Sequence, residues 1–404
     1  MGERINRREM LARGLCTAGM LAAGASAGLP LEAAGAQTAD KPKEPPDRSD
    51  RAPTAPVAIQ RCESFGPQVF RKALDKSLDL IGGIDKLVRN KTVAIKVNLT
   101  GMSWDPCFGL PAYETYQTHP NTVAALCAAL SDAGARRIVI VENLYWRDPF
   151  EKIVGKLGWD VKGIQSAGGQ RVSFEDTRNR GAFRGYSRFK VPWGGYIYPA
   201  FDLNERFEKT DVLVSLSKLK QHACAGVTMT VKNMFGATPC SLYGNNAPDE
   251  EGLVHRTEMF HAGKKRVPDG VPAELDHGLR RHPFVRVPRI VADVYGARPV
   301  DLAIVDGIRT LRGGEGHWNR GIGLVEPKLL LAGRNGVCTD AVGTAVMGFD
   351  PKAPHGTFPF QGDNHLRLLA SVGVGSNDPG RIEVAGVPLK EAVFPFRSPP
   401  SAKE

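Results

Sequence analysis

The densest group of residues that could do chemistry lies in residues 217–222, which read Ser-Lys-Leu-Lys-Gln-His. If the strand before it continues through this segment, the two-residue period of a strand places Lys218, Lys220 and His222 on one face. In open α/β sheets, ligands bind outside the carboxyl ends of strands, where this segment would lie. Two ammonium groups and an imidazole there predict a site for a carboxylate or a phosphate. The alternative interpretation is a solvated basic edge.

A second polar segment, residues 226–236, begins with Gly and carries Thr228 and Lys232 four residues apart. That spacing predicts one face of a helix, whose free N-terminal N–H groups could bind an anion. A histidine or a lysine with a depressed pKa could move a proton or act as an amine nucleophile. The candidate catalytic residues are therefore Lys220, His222 and Lys232.

Further candidates for ligand binding come from other stretches. Lys96 and Asn98 are two apart on a predicted strand and share a face. Glu315 lies in a glycine-rich loop, where the backbone can approach a ligand closely. The predicted ligand-binding residues are Lys96, Asn98, Lys218, Thr228, Asn233 and Glu315.

A divalent metal is a further prediction, because imidazole and carboxylate are its usual ligands. His261 follows His255 by six residues, a separation of little diagnostic value. Asp340 opens a predicted helix, where helix capping is the alternative role. No C-x-x-C pair occurs, so an iron–sulfur cluster is not expected. The candidate metal ligands are His222, His255, Asp306 and Asp340.

The elements that must position these residues alternate between strand and helix. Short β-branched runs such as residues 92–99 and 137–141 predict buried strands, and residues 120–133 predict a helix. This order predicts an α/β fold with a mostly parallel sheet and helices on both faces. The other predicted strands are 211–216, 300–305 and 328–332, and the other predicted helices are 150–157, 227–235, 284–295 and 339–347.

Two segments interrupt this alternation. Residues 178–200, rich in Arg, Gly and aromatics, predict a hairpin or a loop excursion. Residues 241–283 form a long polar insertion, which is typical of a lid, a binding loop or a disordered segment.

The N-terminus has the order of a signal peptide. Arg7 and Arg8 precede a weakly apolar stretch, and small residues end at Ala36. The paired arginines predict export through the twin-arginine translocase to the periplasm or cell envelope. An ordinary secretory signal is the alternative. The sequence therefore predicts a signal peptide over 1–36, a disordered linker over 37–57 and an α/β domain over 58–396, with no stable membrane span after cleavage.

Composition and motifs limit the classes of partner that the chain is expected to bind. The 404 residues carry a formal net charge of +10, which is compatible with an anionic partner such as nucleic acid but is more typical of an ordinary basic surface. Nucleic acid is not expected, because no zinc-finger spacing or aromatic RNA-binding signature occurs. The chain also lacks a G-x-S-x-G elbow, a phosphate-binding Walker loop and a dinucleotide-binding glycine motif in the required context.

Several of these stretches together resemble the domain of unknown function 362 family. Residues 217–222, 226–228 and 231–236 carry the resemblance, and residues 95–99, 118–120, 305–307, 313–316 and 338–350 support it. It spans roughly residues 90–390 and implies a fold region and a site, but no defined reaction. Some relatives append ferredoxin-type cysteine clusters, which this chain lacks, so the resemblance implies no iron–sulfur function here.

The leading hypothesis is an exported enzyme that acts on an anionic small molecule, with a metal or cofactor as a further option. The rival is a periplasmic ligand-binding or cofactor-binding protein without turnover. A third hypothesis, a structural envelope protein, predicts that Lys220→Ala leaves every function intact.

Overall fold

The computed structural model describes residues 4–5, 45–244, 249–251, 255–275 and 281–396. Apart from Arg4–Ile5, the predicted signal peptide lies outside the described residues, as does the first part of the predicted linker, residues 37–44.

The strands of the described residues form four separate sheets, and the largest has eight strands. In chain order they are β1 (Arg4–Ile5), β2 (Val57–Arg61), β3 (Thr92–Lys96), β4 (Arg137–Glu142), β5 (Val172–Asp176), β6 (Tyr186–Lys190), β7 (Ala200–Asn204), β8 (Val212–Lys218), β9 (Lys220–His222), β10 (Gly226–Thr228), β11 (Leu302–Gly307), β12 (Thr310–Arg312), β13 (Gly323–Val325), β14 (Leu329–Gly333) and β15 (Val384–Gly386).

The helices connect these strands and are mostly short. The α-helices span Pro67–Leu80, Asp85–Val88, Ala112–Thr115, Pro120–Asp132, Phe150–Lys156, Val161–Ala167, Thr230–Asn233, Cys240–Tyr243, Pro283–Ala297, Gly336–Val346, His365–Ser371 and Leu389–Ala392. Single 3-10 turns occur at Ser49–Arg51, Glu205–Phe207, Met234–Ala237 and Pro379–Arg381, and a π-helical turn spans Thr257–His261.

The eight-stranded sheet has the order β15-β2-β14-β11-β8-β3-β4-β5. β14 runs antiparallel to both of its neighbours, and every other neighbouring pair in this sheet is parallel. β6 pairs antiparallel with β7, and β1 pairs with the outer edge of β6. The prediction of a mostly parallel α/β fold is confirmed. Of the two alternatives for residues 178–200, the structure shows a hairpin, whose second strand extends beyond the predicted segment to Asn204.

Alternate side chains of the sheet enter different cores. On β3, Val93 and Ile95 pack with the helices Pro67–Leu80 and Pro120–Asp132. Ala94 joins a second core, which contains the helix Pro283–Ala297. Helices therefore cover both faces, and the period of two decides on which face each polar residue near a strand end emerges.

The prediction of one helix over residues 227–235 is wrong. Gly226–Thr228 is a strand that pairs antiparallel with β9, and the helix begins at Thr230. Gly226 has a φ of +79°, a left-handed conformation that suits glycine where the chain turns back toward β9. Thr228 and Lys232 consequently do not share a helix face.

The second part of the predicted linker, residues 45–57, is not disordered in the structure. Ala52 is fully buried, and the Arg48 N–H donates to the Ser371 carbonyl at 2.8 Å. Val57 pairs with Val384 in the main sheet. The partners of this segment lie more than 300 residues away, so local composition could not predict its order.

The predicted insertion is anchored where the structure describes it. Leu242, Tyr243, Met259 and Phe260 are buried in the same core as the helix Pro283–Ala297. These apolar residues hold the segment 255–261 against the body of the protein. Among the described residues, no helix is both long enough and apolar enough to cross a membrane.

Candidate functional site

A cavity of about 500 Å³ lies where β3, β4 and β8 reach their carboxyl ends. Its walls come from these ends, the β9–β10 ribbon, the turn over 230–236, the segment 255–261 and the loop 315–318. The structure brings together nine of the predicted site residues around it, namely Lys96, Asn98, Lys220, His222, Thr228, Lys232, Asn233, His255 and Glu315.

Asn233 ties the floor of the cavity together. Its amide donates to the Lys96 carbonyl at 3.1 Å and to Ser215 Oγ at 3.0 Å, which links β3 to β8. Its Oδ1 accepts from Asn98 Nδ2 at 3.1 Å. Both asparagines are buried, and their amides are used within this network. The two residues therefore act first as a rigid frame for the lysines around them.

Lys96 forms a buried ion pair at the floor. Its Nζ lies 2.6 Å from Glu142 Oε1 and donates to the Val97 carbonyl at 2.8 Å. Burial lowers the pKa of Lys96, and the Glu142 carboxylate opposes that effect. A Cβ on Gly236 would lie 2.9 Å from Lys96 Nζ, so the absence of a side chain there makes room for the ammonium.

Lys220 is held by three oxygens. Its Nζ donates to the Tyr116 carbonyl, to the Glu315 carbonyl at 3.0 Å and to Asn98 Oδ1 at 3.3 Å. Three acceptors match the three N–H groups of an ammonium. Burial lowers the pKa of Lys220 to about 7, and the Glu315 carboxylate opposes that effect. Its contacts fix Lys220 in place, and none of its N–H groups is left for a ligand.

Lys232 is bound differently. Its ammonium lies 4.1 Å from the centroid of the Phe235 ring, and no carboxylate of the described residues comes within 4.0 Å of it. Burial lowers the pKa of Lys232 to about 8, with Glu315 and Cys224 opposing that effect and Arg256 and Lys96 adding to it. Lys232 therefore faces the cavity as a cation without an ion-pair partner among the described residues.

His222 and Glu315 form the wall beside Lys220. The N–H groups of Cys224 and Ala225 donate to His222 Nδ1 at 3.1 and 3.3 Å, which places the ring proton on Nε2 in the neutral form. Burial lowers the pKa of His222 to about 3, so the ring is neutral at physiological pH. His222 can thus donate a hydrogen bond from Nε2, whereas Nδ1 is already occupied.

Glu315 is fixed from two sides. Its Oε2 accepts from the Ala223 N–H at 2.9 Å, and its Oε1 accepts from Trp318 Nε1 at 3.1 Å. Burial acts to raise the pKa of Glu315, but His222, these two donors and Lys220 together lower it to about 2. Glu315 is therefore an ionised, immobilised wall residue.

The insertion contributes a further cation that the sequence did not indicate. Arg256 donates to the Thr238 carbonyl from Nε at 2.9 Å and to the Tyr145 hydroxyl from Nη1 at 2.6 Å. No carboxylate of the described residues lies within 4.0 Å of it. His255 and His261 line the same side of the cavity, His255 exposed and His261 mostly enclosed. Burial lowers the pKa of His261 to about 4.

Lys218 lies on the opposite face of the sheet from the cavity. Asp306 on β11 is its register partner, and Lys218 Nζ lies 2.9 Å from Asp306 Oδ2. The Nζ also donates to the Arg309 carbonyl at 3.0 Å and lies over the Phe65 ring. The expectation that Lys218 shares a face with Lys220 and His222 is wrong, because β8 ends at Lys218 and the chain changes direction before β9.

Asp340 holds the turn that carries Lys232. Its two carboxylate oxygens accept from the Thr230 and Val231 N–H groups at 2.9 and 2.8 Å. Burial raises the pKa of Asp340 to about 7, and these two N–H donors oppose that effect. Asp340 and Asp306 do not line the cavity, and each has a partner that accounts for its position.

The donors proposed for a metal are not gathered in the part of the chain that the structure describes. Within those residues, no three His, Cys, Asp or Glu side chains lie close enough together to hold a metal ion.

Several cavity residues were not found from the sequence. Glu142 had a usable signal, because it is the first charged residue after the apolar run of β4, just as Lys96 ends β3. Arg256, in a polar insertion, had none. Further lining residues that were not predicted include Tyr145, Cys224, Phe235, His317 and Trp318.

The family model for a domain of unknown function (DUF362) matches residues 93–345, which include every residue that lines the cavity. The chain belongs to this family, as the resemblance implied. No curated protein matches the sequence significantly. The family defines a class of α/β protein without an assigned reaction, so the chemistry must be argued from the cavity itself.

Proposed function

We propose that this protein is an enzyme that binds an anionic small molecule in the cavity, with Lys232 as the cation that meets the ligand. The observation that carries the proposal is the position of Lys232, a cavity-lining ammonium with no carboxylate of the described residues in ion-pair range. Lys232 is half-buried. A cation that loses part of its contact with water without gaining a partner is unfavourable, and an anionic ligand would offset that cost.

The charge of the lining supports the same proposal. Among the described lining residues, four carry a basic side chain (Lys96, Lys220, Lys232 and Arg256) and two carry a carboxylate (Glu142 and Glu315). Even with the histidines left out of this count, the wall therefore has an excess of positive charge. In a partly enclosed site such an excess attracts anions more strongly than it would in water.

The proposed chemistry is proton transfer. Because its pKa is lowered to about 8, the Lys232 ammonium is a stronger acid than an ordinary lysine and can give a proton to the bound anion. His222 would donate a hydrogen bond from Nε2 to the bound molecule. Lys220, Asn98 and Asn233 would keep the floor rigid.

Binding is tested by isothermal titration calorimetry with inorganic phosphate as the probe. Lys232→Met should weaken phosphate binding by about 10- to 100-fold, the effect expected from losing a hydrogen bond to a charged group. Lys72→Met removes the same charge from an exposed position on the helix Pro67–Leu80 and should leave the affinity unchanged. Equal affinities for the wild type and Lys232→Met would contradict the proposal.

Turnover is tested by incubating the protein with small-molecule anions extracted from cells and following the amount of each anion by mass spectrometry. An anion that the wild type consumes and Lys232→Met does not would support an enzyme. An anion that is bound and released unchanged would instead support the rival, a non-catalytic binding protein.

We also propose that the protein acts outside the cytoplasm, after export by the twin-arginine translocase and cleavage following Ala36. The support is the order of Arg7, Arg8, the weakly apolar stretch and the small residues that follow. N-terminal sequencing of the protein from its own host should find Gln37 first. A chain that begins at Met1 or Gly2 would contradict export with cleavage.

A further inference from the structure

We infer that the molecule bound in the cavity is an anion that carries a planar ring, with the ring against Trp318 and the anionic group toward Lys232. This inference rests on the proposed function and names its class of ligand. It comes from the loop 313–319, to which the proton-transfer proposal gives no role.

The loop is built to fold Trp318 back onto the cavity. The N–H groups of Glu315 and Gly316 donate to Asn319 Oδ1 at 2.9 and 3.3 Å, which closes a tight turn. A Cβ on Gly316 would lie 2.4 Å from the Trp318 ring, and one on Gly314 would lie 2.5 Å from Asn319. The glycines are therefore required for this approach of the indole.

The indole is then fixed by its surroundings. Trp318 Nε1 donates to Glu315 Oε1 at 3.1 Å, and Tyr116 meets the ring edge-on with centroids 5.8 Å apart. A Cβ on Gly101, from the segment that follows β3, would lie 2.8 Å from the six-membered ring.

Despite these contacts, Trp318 lines the cavity and keeps 44% of its surface exposed. A large apolar ring that is immobilised yet exposed at a cavity offers a stacking surface to a ligand. The structure places this surface on the wall that also carries Glu315.

Thr228, another residue of the cavity lining, supplies a second, independent observation. Thr228 lines the cavity with 3% of its surface exposed, and its Oγ1 has no hydrogen-bond partner among the described residues. A buried hydroxyl without a partner is unusual and points to a missing polar group. Thr228 and Lys232 would together bind the anionic group. The volume of about 500 Å³ is within the range of small-molecule sites and exceeds what a lone phosphate would fill.

The test compares two probes that share a charged group and differ in a ring. Phenyl phosphate and inorganic phosphate are titrated into the full chain by calorimetry, and the ratio of their affinities is measured. The wild type should prefer phenyl phosphate by about tenfold, from stacking and burial of the ring. In Trp318→Ala this preference should fall to about one, and Trp318→Phe should restore most of it.

Trp146→Ala is the matched control, because Trp146 is a similarly exposed tryptophan (38%) that does not line the cavity. It should keep the wild-type preference. A wild type with no preference, or a Trp318→Ala variant that keeps it, would overturn the ring assignment and leave the proposed function standing. A wild type that binds neither probe would contradict the proposed function and the ring assignment together.

Discussion

The carboxyl edge of the sheet carries lysines on both of its faces, and the two faces treat them differently. On one face, Lys218 is fully buried between its register partner Asp306, the Arg309 carbonyl and the Phe65 ring. On the other face, Lys232 lines a cavity with the Phe235 ring as its neighbour and no carboxylate of the described chain in ion-pair range. Both lysines lie beside an aromatic ring, but the charge of Lys218 is compensated within the fold, whereas Lys232 is available to a ligand.

Lys218 and Lys232 show the difference between a charge that is compensated within the fold and a charge that can meet a ligand. A buried lysine with a carboxylate partner has its electrostatic requirements met by the protein itself. A lysine without such a partner gains a compensating negative charge only when an anionic ligand binds. Lys96 and Lys220 fall between the two extremes, since they line the cavity but are held by Glu142 and by three oxygens respectively.

The largest expected effect is on the face away from the cavity. Asp306→Ala leaves the Lys218 ammonium buried without its partner, and breaking such a pair typically costs about 3–5 kcal/mol. We therefore expect the free energy of unfolding, measured by chemical denaturation, to fall by that amount. Lys232→Met removes a charge that has no such partner, so we expect it to change the free energy of unfolding by less than about 1 kcal/mol.

Two variants control for the lost contacts of Asp306. Asp306 Oδ1 also accepts from the Ile308 N–H at 3.0 Å, and Asp306→Asn keeps an acceptor there while removing the charge. Lys218→Met combined with Asp306→Ala removes both charges and should recover much of the loss. If Asp306→Ala and Lys232→Met lowered the free energy of unfolding by similar amounts, the distinction between the two faces would be contradicted.

The pH dependence of anion affinity distinguishes Lys232 from Lys220. The expected effect is smaller, about a tenfold change in affinity per pH unit. The ammonium of Lys232 binds the anion, and burial lowers its pKa to about 8, so affinity should be constant below pH 8 and fall above it. Sulfate is a suitable probe for calorimetry, because it does not titrate in this range. Lys232→Arg should keep a flat profile, since arginine stays charged.

An earlier fall, beginning near pH 7, would assign the binding to Lys220 instead, because burial lowers the pKa of Lys220 to about 7. That outcome would mean that the three oxygens around Lys220 do not remove it from ligand binding.

The periodicity of the chain was enough to predict the alternation of strands and helices, the mostly parallel sheet and the side of the sheet where polar residues collect. It also placed Lys96 and Asn98 near Lys220 and His222, because the carboxyl ends of parallel strands meet at one edge. It failed at residues 226–228, where an apolar–polar pattern of a few residues fits a strand and a helix equally well. Pairing with β9, which local sequence does not encode, decided between them.

Local periodicity and strand order are enough to predict the class of fold and the set of basic residues near one edge of the sheet. Only the folded chain shows that Lys218 has a carboxylate partner and that Lys232 has none among the described residues. That difference depends on partners far away in the chain, such as Asp306 for Lys218 and Asp340 for the turn beneath Lys232. Charge becomes functional through burial and through the distance to other charges, and folding alone sets both.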